Sequence, residues 1–174
     1  LQKKTTTKIT DDSNLFIEAN KKVKFINGEL NNYKITTKSD IKEKKITKFG
    51  LGFDVHRLVP KRKLFLGGIK IPAPFGTKGH SDGDPVLHAV IDSILGACGM
   101  GDIGEKFSDR SKKYKNIRST ILLKKVVDQV KSKNYLINNI DINIIIQKPK
   151  ISKFKSKMIK SISEICDLSS NKIN

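Results

Sequence analysis

At Phe49 the sequence changes character, and a packed fold can begin only there. From Phe49 to Val55 large apolar residues alternate with Gly50, Gly52 and Asp54, and the run ends at His56. That period of two reads as a buried strand finishing in polar groups. Before it, residues 1–48 hold twelve Lys, six acidic residues, one Gly and no Pro, with apolar residues at no sustained period. Such a stretch cannot bury enough surface to offset its ordering entropy, so a basic, low-complexity, mostly disordered extension is expected over 1–48. The chain starts at Leu1 rather than Met, and a polar basic leader ahead of a globular domain reads as an organelle-targeting remnant. A solvated extension is the other reading, and the six acidic residues fit a mitochondrial transit peptide poorly.

From Phe49 onward the order is strand, hairpin, helix, helix, strand, helix. Leu64–Leu66 and Ile69–Ile71 flank Gly67-Gly68, a two-residue loop suited to a primed hairpin turn, and Pro72 and Pro74 stop the pairing. Asp84 is placed to cap a helix with Pro85 at its first position. Val86, Leu87, Val90, Ile91, Ile94, Leu95 and Cys98 recur at helical spacing until Gly99 and Gly101. Ser119 or Thr120 opens a second helix with Ile121, Leu122, Val126, Val127 and Val130 inward. Asp141–Gln147 reads as a buried β-branched strand ended by Pro149. A third helix, about Lys153 to Leu168, buries Met158, Ile159, Ile162, Ile165 and Cys166.

Charge narrows the partners. Lys and Arg number 35 against 17 acidic residues, a formal net charge of +18, which excludes an acidic binding surface and favours polyanions. Nucleic acid, anionic lipid and phosphorylated small molecules all qualify. Only four of the 35 are Arg, however, and Lys, Ile and Asn supply 67 of the 174 residues. All three have AT-rich codons, so much of the charge reflects genomic bias, and the Arg poverty weighs against base reading. No apolar run approaches the roughly 20 residues that span a bilayer. Cys98 and Cys166 both sit in apolar helical patterns, which argues against a disulfide framework.

All three histidines fall within one 33-residue stretch. Asp54 and His56, two apart on a strand, project from one face and could grip a metal, with His88 on the first helix as third ligand. One Asp and two His leave an open fourth position, the arrangement of a catalytic zinc. The competing reading is that isolated histidines complete hydrogen-bond networks. Gly79–Asp84 feeds a helix N-terminus, which favours phosphate, and Gly101–Gly104 is a second tight loop. Lys148 and Lys150 flank Pro149 beyond the last strand.

Taken together, Gly52–His56, Leu66-Gly67-Gly68, His80–Asp84 with Leu87-His88-Ala89, and Asp102-Ile103-Gly104 with Phe107 and Asp109 resemble the 2-C-methyl-D-erythritol 2,4-cyclodiphosphate synthase family. The likeness runs from Phe49 to Asn174 in order and spacing. It implies an α/β (α+β) fold: a four-stranded mixed sheet with helices on one face plus a small β-hairpin, of ferredoxin-like topology. The family forms a homotrimer with active sites between subunits. Its enzymes cyclise 4-diphosphocytidyl-2-C-methyl-D-erythritol 2-phosphate and release CMP, in non-mevalonate isoprenoid synthesis.

By the same resemblance, Asp54, His56 and His88 match the ligands of one Zn2+ per subunit, and His80 the catalytic, transition-state position. Substrate contacts fall on Asp54, Val55, His56, His80, Ser81, Asp102, Ile103 and Gly104, and on the mobile segment Phe107, Ser108, Asp109, Arg110 and Ser111. The nucleotide stretch is Ile146, Gln147, Lys148, Pro149, Lys150, Ile151 and Ser152, presented to a neighbouring subunit. The family continues with a Thr-rich strand and a Thr-Glu pair that touch the diphosphate and a second divalent ion, Mg2+ or Mn2+. Residues 49–174 are therefore expected to lack that strand and that ligand, and the chain as it stands to be poorly active. Ser111 departs from a frequent Asp, and Lys148 and Ser152 from apolar residues. The Lys-rich leader and codon usage resemble apicomplexan plastid proteins, which implies plastid (apicoplast) localisation after leader removal.

Two other functions fit parts of this pattern. A zinc phosphohydrolase needs a carboxylate base beside a metal-bound water, for which Asp82 or Asp84 could serve. A basic nucleic-acid-binding module predicts steeply salt-dependent affinity but leaves the Asp/His cluster unexplained.

Overall fold

The computed structural model describes residues 16–24, 26–27 and 46–174. The chain divides into two units, Leu1–Lys45 and Ile46–Asn174. In the first, residues 16–18 form a helical turn closed by the N–H groups of Asn20 and Lys21, which donate to the carbonyls of Ile17 and Phe16. Most of the expected extension over 1–48 lies outside the described residues.

The second unit is α+β. Its strands pair as two short antiparallel ribbons, β1 (Leu58–Pro60) with β4 (Phe75–Thr77), and β2 (Leu64–Leu66) with β3 (Ile69–Ile71). Leu64 stands opposite Ile71, and Leu66 opposite Ile69. Gly67 and Gly68 make the β2–β3 turn with φ of 59° and 83°, the left-handed values a primed turn requires. Four helices follow: α1 (Pro85–Cys98), α2 (Ile103–Lys106), α3 (Ser119–Ser132) and α4 (Lys155–Cys166). Asp84 caps α1, accepting from the N–H groups of Val86 and Leu87, and Gly99 ends it in the left-handed region. These local signals act as the sequence predicts.

The core lies among α1, α3, α4 and the β2–β3 hairpin. Leu87, Ile91 and Leu95 of α1 meet Leu123, Val126 and Val127 of α3, with Ile162 and Cys166 of α4 and Leu64 and Ile71 of the hairpin closing the cluster. Each fully buried aliphatic side chain contributes about 1.5–3 kcal/mol by leaving water. Ile121 was expected inward but is largely exposed, because Leu122 and Leu123 take the core-facing positions of that turn. Ile159 and Ile165 are only partly buried, flanking the stripe made by Met158, Ile162 and Cys166. Both cysteines are free thiols. Among the described residues, no helix is long and apolar enough to cross a membrane.

Two expectations about strands need correction. The run 49–56 is extended but not buried on its large side: Phe49 is 90%, Leu51 91%, Phe53 81% and Val55 73% exposed. Its small and ligating residues face α1 instead. A Cβ on Gly50 would lie 1.8 Å from the carbonyl oxygen of Ser93, and one on Gly52 1.8 Å from that of Ala89. Only glycine permits so close an approach. Similarly, 141–147 is half-buried rather than buried: Ile142, Ile144 and Ile146 pack against the core, whereas Ile145 is 97% exposed. Neither run belongs to a strand ladder, so the described residues form no four-stranded mixed sheet. Among the described residues, pairing beside the second run is confined to a parallel bridge, Ile140 with Ile173, in which the Ile140 N–H donates to the Lys172 carbonyl and the Ile142 N–H to that of Asn174.

Candidate active site

The glycines that seat the 49–56 run on α1 also deliver its polar end. Asp54 and His56 follow Gly52 on the same face, and His88 meets them from the first turn of α1. Asp54 Oδ2 lies 2.9 Å from His56 Nε2 and 3.1 Å from His88 Nδ1. The two rings are tilted by 58° with centroids 5.2 Å apart. One ligating atom from each residue falls within 4.8 Å of the others, the disposition of a three-ligand metal centre. Burial alone would raise the Asp54 carboxyl, but hydrogen bonds and charge from His56 and His88 hold it well below the usual carboxylate range. The buried Nδ1 of His56 has no hydrogen-bond partner, and Gly79 packs on that ring, where a Cβ would stand 3.1 Å from Cε1. The donor set and its enclosure fit a divalent cation.

These groups line a cleft of about 390 Å³. Among the expected substrate residues, Val55, His80, Ser81, Ile103, Gly104, Phe107 and Asp109 line it too. Asp102, Ser108, Arg110 and Ser111 do not. Asp102 instead caps α2 by accepting from the Glu105 N–H. The Ser111 carbonyl lies 3.2 Å from His80 Nε2, close enough to orient that ring. None of Ile146–Ser152 reaches the cleft.

The loop carrying His80 is held from two sides. Arg62 Nη2 donates to the carbonyls of Gly79 and Ser81, each at 2.8 Å. Backbone bonds lace His80 and Asp82 to Asn116 and Ile117. Arg118 pairs with Asp82 at 3.1 Å, donates to the Gly68 carbonyl and lies 4.0 Å over the Phe65 ring. Two of the four arginines are thus committed to internal clamps rather than to a nucleic-acid surface.

Neither candidate hydrolytic base is available. Asp84 is fully buried, its oxygens taken by the N–H groups of Gly67, Gly68, Val86 and Leu87. Asp82 is bound to Arg118 and Ser119 and does not line the cleft.

Sequence reasoning missed Arg57, Lys78, Asp92, Tyr114 and Leu122 in the lining. Asp92 Oδ1 accepts the Ile103 N–H at 2.8 Å, docking the 102–104 turn onto α1, while burial pushes its carboxyl up. Its position one turn beyond His88 on α1 was the available signal. Tyr114 packs edge-on against Phe107 with centroids 5.3 Å apart. Arg57 and Lys78 bring positive charge to the cleft wall.

Comparison with known proteins bears directly on this geometry. The YgbB family model matches residues 47–174. A bifunctional enzyme IspD/IspF of Pelagibacter ubique is 63% identical over 174 residues, covering 100% of this chain and 47% of its own. A 2-C-methyl-D-erythritol 2,4-cyclodiphosphate synthase of Clostridium acetobutylicum is 52% identical over 125 residues, covering 72% of this chain and 81% of that protein. Among solved structures, a CDP complex of IspF from Plasmodium falciparum is 38% identical with a TM-score of 0.63, covering 73% of this chain and 78% of that one. The chain spans about half the length of the bifunctional relatives it matches. Those relatives come from the bacteria Pelagibacter, Aliarcobacter and Campylobacter, and the first match includes residues 1–48. The plastid, apicoplast expectation is overturned. The Lys-rich composition that suggested it follows codon bias, which is not specific to plastid proteins.

Proposed function

The chain belongs to the YgbB family, and on that premise we propose that it cyclises 4-diphosphocytidyl-2-C-methyl-D-erythritol 2-phosphate to 2-C-methyl-D-erythritol 2,4-cyclodiphosphate and CMP. The activity is that of a lyase in the methylerythritol phosphate route to isoprenoids. The observation that carries the reading is the convergence of Asp54, His56 and His88 at a cleft, in a chain 52% identical to a cyclodiphosphate synthase.

The substrate brings its own nucleophile. An oxygen of the 2-phosphate attacks the β-phosphorus, a new P–O bond closes the ring, and the bond to the α–β bridging oxygen breaks. CMP leaves with that electron pair. The protein's work is then alignment and charge neutralisation, and no nucleophilic Ser or Cys is needed. Asp54, His56 and His88 would hold one Zn2+, which when bound would supply Lewis-acid polarisation of the β-phosphoryl group. His80 faces the reacting diphosphate from its clamped loop. Arg57 and Lys78 offset the accumulating negative charge. Ile103, Gly104, Phe107 and Asp109, which line the cleft, receive the methylerythritol portion. A second divalent ion, Mg2+ or Mn2+, would add to that charge neutralisation.

The working unit is a homotrimer of ferredoxin-like subunits with a completed four-stranded sheet. Phe49, Leu51, Phe53 and Val55 support this, since an apolar row of that size is characteristic of a face covered by another copy. The distance of Ile146–Ser152 from its own chain's cleft supports a cytidine site lent to a neighbour.

The test is incubation of the zinc-loaded chain with the substrate, followed by phosphorus NMR. Cyclic diphosphate and CMP in equal amounts are expected, at a low rate for the chain as it stands. Release of inorganic phosphate instead would establish a hydrolase and overturn the reading.

A further inference from the structure

Behind the three ligating residues runs a buried chain of hydrogen bonds. His88 Nε2, the ring nitrogen turned away from Asp54, lies 2.9 Å from Ser119 Oγ and 3.0 Å from Ser81 Oγ. Ser119 is fully buried at the start of α3, 31 residues away in sequence. Its hydroxyl lies 2.5 Å from Asp82 Oδ1, which also accepts the Ser119 N–H at 3.1 Å. Asp82 is in turn paired with Arg118 at 3.1 Å.

The direction of these bonds follows from what each group can do. A carboxylate held by a guanidinium offers only lone pairs, so the Ser119 hydroxyl donates to Asp82. The lone pairs of Ser119 Oγ then remain to accept, and their buried neighbour is His88 Nε2. A proton on that nitrogen, donated to Ser119 Oγ, leaves the Nδ1 lone pair for a cation in the space shared with Asp54 Oδ2 and His56 Nε2. In that form Nδ1 and Asp54 Oδ2, 3.1 Å apart, both turn lone pairs toward the ion, whereas the other tautomer spends Nδ1 on a hydrogen bond to Asp54. We infer that Ser119, anchored by Asp82 and Arg118, is a positioning residue that holds His88 in its metal-ligating form, with Ser81 as an auxiliary acceptor. The inference rests on the metal reading proposed above and adds to it the group that sets His88.

The measurement is zinc affinity of the 174-residue chain, by competition with a chromophoric chelator and without substrate. Ser119→Ala is expected to weaken zinc binding roughly tenfold to a hundredfold, the usual effect of removing a ligand's hydrogen-bond partner. The double change Ser81→Ala with Ser119→Ala should weaken it further, and Ser119→Thr, which keeps the hydroxyl, should restore most of the affinity. Denaturation of the metal-free variants checks that each is folded. Zinc affinity of Ser119→Ala within twofold of the parent overturns the inference while leaving the metal reading intact. So does a folded Ser119→Thr no better than Ser119→Ala, since the loss would then be one of packing. A parent chain that takes up no zinc overturns the metal reading and this inference together.

Discussion

Gly52 lies against Ala89 so closely that a Cβ would stand 1.8 Å from the Ala89 carbonyl oxygen, inside any allowed contact. Asp54 follows two residues later on the same face, so this contact sets the distance between Asp54 and His88. Gly52→Ala is expected to push the run off α1, costing about 1–3 kcal/mol by overpacking and weakening zinc binding as well. Gly96, exposed in the same helix with no atom near its Cβ position, is the counterpart. Gly96→Ala should stabilise by about 0.5–1 kcal/mol and leave the metal alone. Urea denaturation and zinc competition on both variants check the pair.

His80 and His88 should separate cleanly. His88 contributes Nδ1 to the ligand cluster, whereas His80 lines the cleft outside that cluster, with its Nε2 beside the Ser111 carbonyl. His88→Ala is expected to lose more zinc affinity than the roughly tenfold to hundredfold typical of an outer partner. His80→Ala should keep zinc and lose turnover by about a hundredfold or more. Metal content and CMP release on both variants decide, and zinc loss from His80→Ala would exchange the two roles.

The difference between what was legible and what was not follows the range of the forces involved. Asp84-Pro85, Gly67-Gly68 and Gly99 act on their own backbone neighbours, so their spacing alone located the α1 cap, the hairpin turn and the helix end. Asp54, His56 and His88 were visible as ligand types at ligand spacing. Ser119 was not, because a serine at a helix start ordinarily caps it, and its link to His88 exists only once α3 packs on α1. Arg57, Lys78 and Asp92 likewise become lining residues through tertiary placement. The 49–56 run follows the same rule. Its large residues suggest the buried face, yet Gly50, Gly52, Asp54 and His56 share the other face, and glycine at alternate positions signals close backbone approach. In 141–147 the sign was the alternation itself: Asp141, Asn143 and Gln147 share with Ile145 the face opposite Ile142, Ile144 and Ile146.

Asp84 joins the hairpin to α1. Its two oxygens accept from Gly68 N at 2.7 Å, Gly67 N at 3.0 Å, Val86 N at 3.1 Å and Leu87 N at 3.2 Å. Removing a helix cap costs about 0.5–2 kcal/mol, and stranding further buried N–H groups adds about 1–3 kcal/mol. Asp84→Ala should therefore destabilise by roughly 2–4 kcal/mol in urea, with Asp84→Asn, which retains one acceptor oxygen, in between. A loss under about 1 kcal/mol for Asp84→Ala would show that the turn and helix hold without it.

Cys166 is buried in α4, and that burial pushes its thiol up to about 11. Only the thiolate alkylates readily, so at pH 8 both ionisation and access are against it. Iodoacetamide applied to the folded chain should modify Cys98, which is only partly buried, well before Cys166, and denaturant should abolish the difference. Peptide mass spectrometry over time reads the order.

The exposed row of Phe49, Leu51, Phe53 and Val55 makes the sharpest prediction about assembly. Phe53 is 81% exposed and contributes little to its own subunit's core, so a charge there should not unfold the chain. In a covered face the same charge would be stripped of water without a partner, at a cost of several kcal/mol per ion. Phe53→Glu is therefore expected to shift the parent from a trimeric to a monomeric mass by light scattering, with far-UV circular dichroism unchanged. Turnover should fall along with it, because Ile146–Ser152 lies away from its own cleft and serves a neighbour's in the proposed arrangement. Zinc binding should persist, since all three ligating residues come from one chain. A parent that is monomeric at full turnover would place the cytidine site within one subunit and remove the need for the row to be covered.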